Sequence, residues 1–151
     1  MDDVRKYQTA HIIVRLGNAV IYRRNRLLKD LGLTSSQSDA ILYILRRAPG
    51  EVCARELMEE LQLSQSTVAG ILRRLEEKGL IERAIAAQDA RRGVIRATVE
   101  GLCLEQRLRD LAARTQEDLL RDMSARERAQ FSRLLNKALE NLTKERAQEG
   151  M

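Results

Sequence analysis

The 151-residue chain has no tryptophan, one phenylalanine, one proline and one histidine. With so few aromatics, a core must be assembled from Leu, Ile, Val and Ala, a composition that suits packed helices. One proline and eight glycines leave little room for long loops or a disordered linker. A single histidine and two widely separated cysteines, Cys53 and Cys103, offer no zinc-ligand spacing. Without secretory features, these cysteines read as reduced thiols and not as a disulfide. There is no phosphate-cradling glycine loop, nucleophile elbow or His-Glu zinc motif, so no enzymatic role, metal or cofactor is expected. No stretch approaches the roughly 20 apolar residues of a membrane span, and the N-terminus lacks a signal-peptide apolar core. The expected location is the cytoplasm, with no membrane partner.

What the chain does have is positive charge. It carries 27 Lys and Arg against 22 Asp and Glu, a net +5, and a pI near 9.6. That balance favours an anionic partner. Residues 64–98 hold seven basic groups against four acidic ones, whereas residues 99–151 are balanced at ten each. The excess is therefore densest in the middle.

Apolar periodicity predicts a mostly helical chain. From about Asp2 to Asp30, Tyr7, Ala10, Val14, Ile21 and Leu28 keep helical spacing, and Ile12, Ile13, Leu16 and Val20 widen the apolar surface. A helix apolar on several sides packs against more than its own domain, which predicts a partner chain. Gly32 closes it, and Thr34 with Gln37 forms a capping box for a second helix carrying Ala40, Ile41, Ile44 and Leu45 inward, up to Ala48-Pro49-Gly50. A third helix spans about Cys53 to Leu61, burying Ala54, Leu57, Met58 and Leu61, with Cys53 where Ser or Thr is the usual cap. Ser64 caps a fourth helix to about Lys78, with Val68, Ile71, Leu72 and Leu75 inside and Gly79 as its stop.

Leu80–Ile85 and Val94–Val99 read as two strands separated by a polar loop, 86–93, whose tip holds Arg91 and Arg92. Thr98 caps a fifth helix with a stripe of Leu104, Leu108, Leu111, Leu119 and Met123. Ser124 and Glu127 box the start of a sixth, with Phe131, Leu134, Leu135, Ala138 and Leu142 inside and fraying expected from about Lys144.

Two short helices joined by a tight turn and followed by a β-ribbon make a winged helix-turn-helix, within a mainly α fold carrying a small β-wing. The first turn of its second helix offers Gln65, Ser66 and Thr67, able to reach base edges and phosphates. Its capping residue Ser64 leads N-terminal amides that favour a phosphate. Further along the outer face stand Gly70, Arg73 and Arg74. Glycine costs a helix about 1 kcal/mol, so its presence there suits close approach to another molecule. The plain alternative is a tolerated glycine beside a solvated charged face.

The stretch LSQSTVAGILRRLEEKGLIER at 63–83, the wing element Asp89-Ala90-Arg91, and Thr98 followed by Gly101 resemble the MarR family of multiple-antibiotic-resistance-type regulators. Ala84 and Ala97 depart from it, standing where a basic residue and a leucine are usual. The resemblance implies one domain over 1–151, with a winged helix-turn-helix at about 34–99 between dimerisation helices at about 2–30 and 100–146. It implies that Arg91 enters the minor groove and that Asp89 orients it, which suits a narrow groove's enhanced negative potential. It also implies a homodimer on a pseudo-palindromic operator of double-stranded DNA, acting as a repressor. Release is by a small, phenolic or otherwise lipophilic, effector in a cleft involving the first, second and fifth helices. Tyr22, Tyr43 and His11 are candidates to line that cleft, although a structural role is the commoner fate of each.

Two other readings are open on sequence. A thiol at a helix N-terminus can become a reactive thiolate, which makes Cys53, and more weakly Cys103, candidates for redox sensing. A winged-helix module with a basic face can also bind an acidic protein or RNA.

Overall fold

The computed structural model describes residues 7–86 and 88–150, with the side chains of 89–92 outside that set. The chain divides into two compact units, residues 1–115 and 116–151. The first holds α1 (Gln8–Leu28), a 3-10 turn (Lys29–Leu31), α2 (Ser35–Arg47), α3 (Ala54–Leu61), α4 (Gln65–Glu77), a hairpin of β1 (Ile81–Ala86) and β2 (Asp89–Ala97), and most of α5 (Val99–Leu119). The second holds the end of α5 and α6 (Ala125–Glu149).

Local chemistry sets most of these boundaries. Gly32 adopts a left-handed φ of +64° and its N–H donates to the Lys29 carbonyl, ending the first helical segment. The Thr34 hydroxyl accepts from the Gln37 N–H at 3.2 Å, and the Gln37 side chain accepts from the Thr34 N–H at 3.2 Å, the capping box expected for α2. Asn25 of α1 reaches into the same turn, its Oδ1 accepting from the Ser35 N–H at 2.7 Å. Arg24 makes a two-pronged ion pair with Asp39 of α2. The last turns of α1 are thus fastened to α2 by polar contacts and by buried Leu28.

The core of the first unit comes from the predicted stripes. Ala40, Ile41, Ile44 and Leu45 of α2, Leu57 of α3 and Val68, Ile71, Leu72 and Leu75 of α4 are buried together with Val52, Leu80, Ile81, Ile95 and Leu108. At the hairpin's base, the Thr98 hydroxyl donates to the Gly79 carbonyl at 2.5 Å and accepts from the Gly101 N–H at 3.1 Å. A Cβ on Gly101 would fall 2.3 Å from the Leu80 carbonyl oxygen, so a bare backbone is required there. The Ser64, Cys53 and Thr98 cap positions all begin the helices expected of them.

Several sequence expectations change. The loop read at 86–93 is mostly strand: β2 begins at Asp89, pairing with Ala86 across a bulge, while Gly93 pairs with Ile85. Asp89 is drawn into the ladder by Ala86, and residues 90–92 form the bulge between that pair and Ile85–Gly93. Val99, read as strand, opens α5. Ala54 is exposed, because it sits at the first position of α3, short of the core that Leu57 reaches. Met123 lies beyond α5 in the turn before Ser124. The helix α6 continues to Glu149 without a break at Lys144. Its cap is as expected: the Ser124 hydroxyl accepts from the Glu127 N–H and the Glu127 carboxylate from the Ser124 N–H. None of its apolar residues is fully buried, however. In α1, Tyr7, Val14 and Ile21 of the expected stripe are likewise exposed, and the expected start near Asp2 lies outside the described residues.

Candidate nucleic-acid interface

The fourth helix is built to leave one face free. Its inner stripe is consumed by the core, and the positions between face outward: Ser64, Gln65, Ser66, Thr67, Arg73 and Arg74 are all exposed. Ser66, Thr67, Gly70, Arg73 and Arg74 recur at three- and four-residue intervals, so they share a single face. Ser64 is committed to the cap. Its hydroxyl accepts from the Thr67 N–H at 3.3 Å and lies 2.9 Å from the Thr67 hydroxyl and 3.2 Å from that of Ser66. Helix geometry leaves the Gln65 and Ser66 N–H groups without an intrahelical acceptor, so two donors point outward beside three hydroxyls.

A Cβ placed on Gly70 would meet nothing within 4 Å. The surface there is open, and no packing inside the chain demands a glycine. Arg73 and Arg74 make no ion pair among the described residues, unlike Arg83, Arg96 and Arg109, each of which contacts a carboxylate. Unpaired cations on an exposed helix face can neutralise an anion without first breaking an internal contact.

The hairpin follows directly after α4. The structure places Asp89, Arg91 and Arg92 in the backbone of β2, and the side-chain roles expected of them lie outside the described residues. Ala97 is partly buried against the core, which accommodates the smaller residue.

Among the described residues of the first unit, crevices lie between the helices. The one lined by Arg24, Leu28, Ser38, Leu108 and Thr115, from α1, α2 and α5, has a volume of only about 10 Å³. A larger groove of about 410 Å³ is lined by Asp39, Leu42 and Arg46 of α2, Glu60 and Leu61 of α3, and Arg109 and Ala112 of α5. The groove residues are ones the sequence reading missed, because only the packing of three separate helices brings them together. Tyr43 lines neither crevice. It is buried, its hydroxyl accepts from Arg47 at 3.0 Å, and Arg46 and Arg47 lie 5.7 and 5.4 Å from its ring centre. That hydrogen bond raises the Arg47 pKa above its ordinary value. His11 and Tyr22 are exposed on α1. Cys53 is half-buried and Cys103 exposed, both as free thiols.

Among the described residues no group of His, Cys, Asp and Glu could hold a metal ion, and no helix is long and apolar enough to cross a membrane.

Comparison with known proteins places this arrangement. Residues 31–92 match the model of the MarR family. MepR of S. aureus in its DNA complex superposes with a TM-score of 0.81 at 24% identity, over 87% of this chain and 96% of that one. The crystal structure of MarR gives 0.78 at 26% identity, over 92% and 93%. BpsR of Bordetella bronchiseptica, whose DNA binding is regulated by 6-hydroxynicotinic acid, gives 0.76 at 22% identity, over 85% and 91%. The helix-turn-helix region of this chain, residues 31–92, is thus similar in sequence to the MarR family, and the fold around it is the one those solved structures share.

Proposed function

We propose that the protein is a sequence-specific DNA-binding transcription regulator, a repressor acting as a homodimer on a pseudo-palindromic operator and released by a small effector. It is a binding protein of the cytoplasm and carries out no catalysis. The observation that carries this reading is the free face of α4: two amides without an intrahelical acceptor, exposed hydroxyls, an open glycine and two arginines with no ion pair among the described residues, with a β-ribbon following in the chain. In this reading Gln65, Ser66 and Thr67 read base edges in the major groove, while Arg73 and Arg74 hold phosphates. Arg91, with Asp89 orienting it and Arg92 beside it, enters the minor groove.

Two linked recognition helices about one helical turn apart require a dimer. The exposed apolar residues Val14 and Ile21 of α1, one heptad apart, and separately Leu134, Leu139 and Leu142 of α6, supply surface for it. A scattered exposed leucine needs no explanation, but apolar residues at helical spacing along a whole face do. The groove of α2, α3 and α5 is large enough for a small organic effector, and Leu42, Leu61 and Ala112 line it together with the charged Asp39, Arg46, Glu60 and Arg109. Redox sensing through Cys53 gains no further support: the thiol is half-buried at its cap position.

Selection from a randomised duplex pool by the full chain tests the reading. Enrichment of an inverted repeat, with binding that weakens steeply as salt rises, is the expected result. Equal binding of all duplexes, or preference for RNA or an acidic protein, would replace the regulator with an interaction module. Within that assay, Arg91→Ala should lower affinity on most sequences, most of all on A·T-rich flanks, and flatten the log–log salt slope by roughly 1–2 units per dimer.

A further inference from the structure

A two-stranded ribbon is marginally stable by itself, and its direction depends on what holds its base. Here the core holds Ile81, Val94 and Ile95, whereas Ile85 near the turn is 65% exposed.

Four charged residues stand where the ribbon leaves the core. On one side, Arg96 of β2 donates from Nε and Nη2 to Glu51 Oε1 at 2.9 and 2.7 Å. Glu51 belongs to the segment between α2 and α3. Its neighbour Val52 is fully buried and exchanges two backbone hydrogen bonds with Ile95, at 3.0 and 2.7 Å. That segment is therefore zipped to β2 by backbone and side chain together. On the other side, Arg83 of β1 lies 3.5 Å from Glu76 in the last turn of α4. Arg83 is paired across the hairpin with Ile95, and Arg96 with Glu82. Because successive side chains alternate, Arg83 and Arg96 leave opposite faces of the ribbon.

We propose that Glu51–Arg96 and Glu76–Arg83 form a two-sided clamp that sets the angle of the wing against α4, making Arg83 and Arg96 positioning residues of the DNA interface and not phosphate ligands. The clamp rests on the reading that α4 and the ribbon grip one duplex. Each pair is partly exposed, so screening leaves it little weight in overall stability. Its effect is geometric: the ribbon is steadied from both faces, one anchor on the helix-turn-helix entry and the other on the end of α4.

The sign of the charge change separates the two roles. Glu51→Gln and Glu76→Gln each remove a negative charge from a protein that binds a polyanion, so electrostatics alone would tighten binding. The clamp predicts the reverse. On the duplex that the full wild-type chain enriches from a randomised pool, each variant should lose about three- to tenfold in affinity, in the range of one misplaced base contact. The salt slope and the melting temperature should stay near wild type. The swapped chain Glu51→Arg/Arg96→Glu keeps both net charge and pair, and should recover most of the affinity lost by Arg96→Gln.

Tighter binding by Glu51→Gln would overturn the clamp. So would an Arg96→Gln chain whose slope flattens by about 2 units per dimer, at about 0.9 per phosphate contact, and which the swap fails to rescue. A wild-type chain that enriches no duplex would remove the underlying DNA reading as well. Wild-type binding with indifferent variants would remove the clamp alone.

Discussion

The helices α4 and α6 begin alike and end up in opposite situations. Each has a serine N-cap whose hydroxyl accepts from the N–H three residues on, at 3.3 and 3.2 Å. Each carries apolar residues at helical spacing. In α4 that stripe is closed: Val68, Ile71, Leu72 and Leu75 are buried, and the face left over is polar and basic. In α6, nearly twice as long, no residue is fully buried, and Leu139 and Leu142 are 59% and 66% exposed. Capping and propensity are thus equal to the task of starting a helix, but they do not say what covers it. The apolar stripe of α4 is covered within its own unit, whereas that of α6 stays exposed, the surface that the proposed homodimer would use.

The sharpest way to break this contrast is to truncate both stripes. Leu72→Ala removes a side chain with 2% exposure, and should cost about 2–5 kcal/mol in denaturant unfolding, since the helices around it cannot collapse fully onto the cavity. Leu139→Asp/Leu142→Asp should leave the helix-turn-helix folded but shift the particle from about twice 17.2 kDa towards the monomer in light scattering. If wild type were already monomeric at micromolar concentration, the face of α6 would need another explanation and two linked recognition helices would be lost.

The same contrast explains what was legible in the sequence. Every cap and every buried stripe of α2 and α4 could be read directly, because a cap is a contact three residues long and a stripe repeats every turn. Thr34 with Gln37, Ser124 with Glu127 and the outward set from Gln65 to Arg74 follow from such local rules. The extent of β2 did not, because it depends on Asp89 finding Ala86 across the hairpin, with residues 90–92 taken up in the bulge before Gly93 pairs with Ile85. Nor did the groove lined by Arg46 and Glu60, or the pair Glu51–Arg96, separated by 45 residues in sequence. Burial in α1 and α6 was overestimated for a related reason: periodicity marks a face as apolar without stating which chain will cover it.

On the free face of α4 the effects should be smaller and different in kind. Gln65→Ala removes no charge, so the salt slope of binding should stay where it is. Discrimination at one major-groove position per half-site should relax by about 1–3 kcal/mol, read as the affinity ratio between the enriched duplex and single-base variants. Unchanged discrimination at every position would remove Gln65 from base readout and leave its exposed place beside the cap unexplained by recognition.

The finest test is at Gly70, where stability and binding should move in opposite directions. A methyl group there meets nothing within 4 Å in the free protein, so Gly70→Ala relieves the helix of its glycine without a clash. The chain should become more stable by about 1 kcal/mol, with a correspondingly higher melting temperature. On DNA the sign should reverse. Gly70 lies between Ser66 and Thr67 on one side and Arg73 and Arg74 on the other, at the middle of the stripe proposed to face the duplex. A side chain at that spot holds off the sugar-phosphate strand that the flanking hydroxyls and guanidinium groups are meant to reach. Alanine should weaken binding modestly and leucine, with its longer side chain, much more. Gly70→Leu with a raised melting temperature and wild-type affinity would show that nothing approaches this face closely, and the stripe on α4 would then have to be reassigned as ordinary solvated surface.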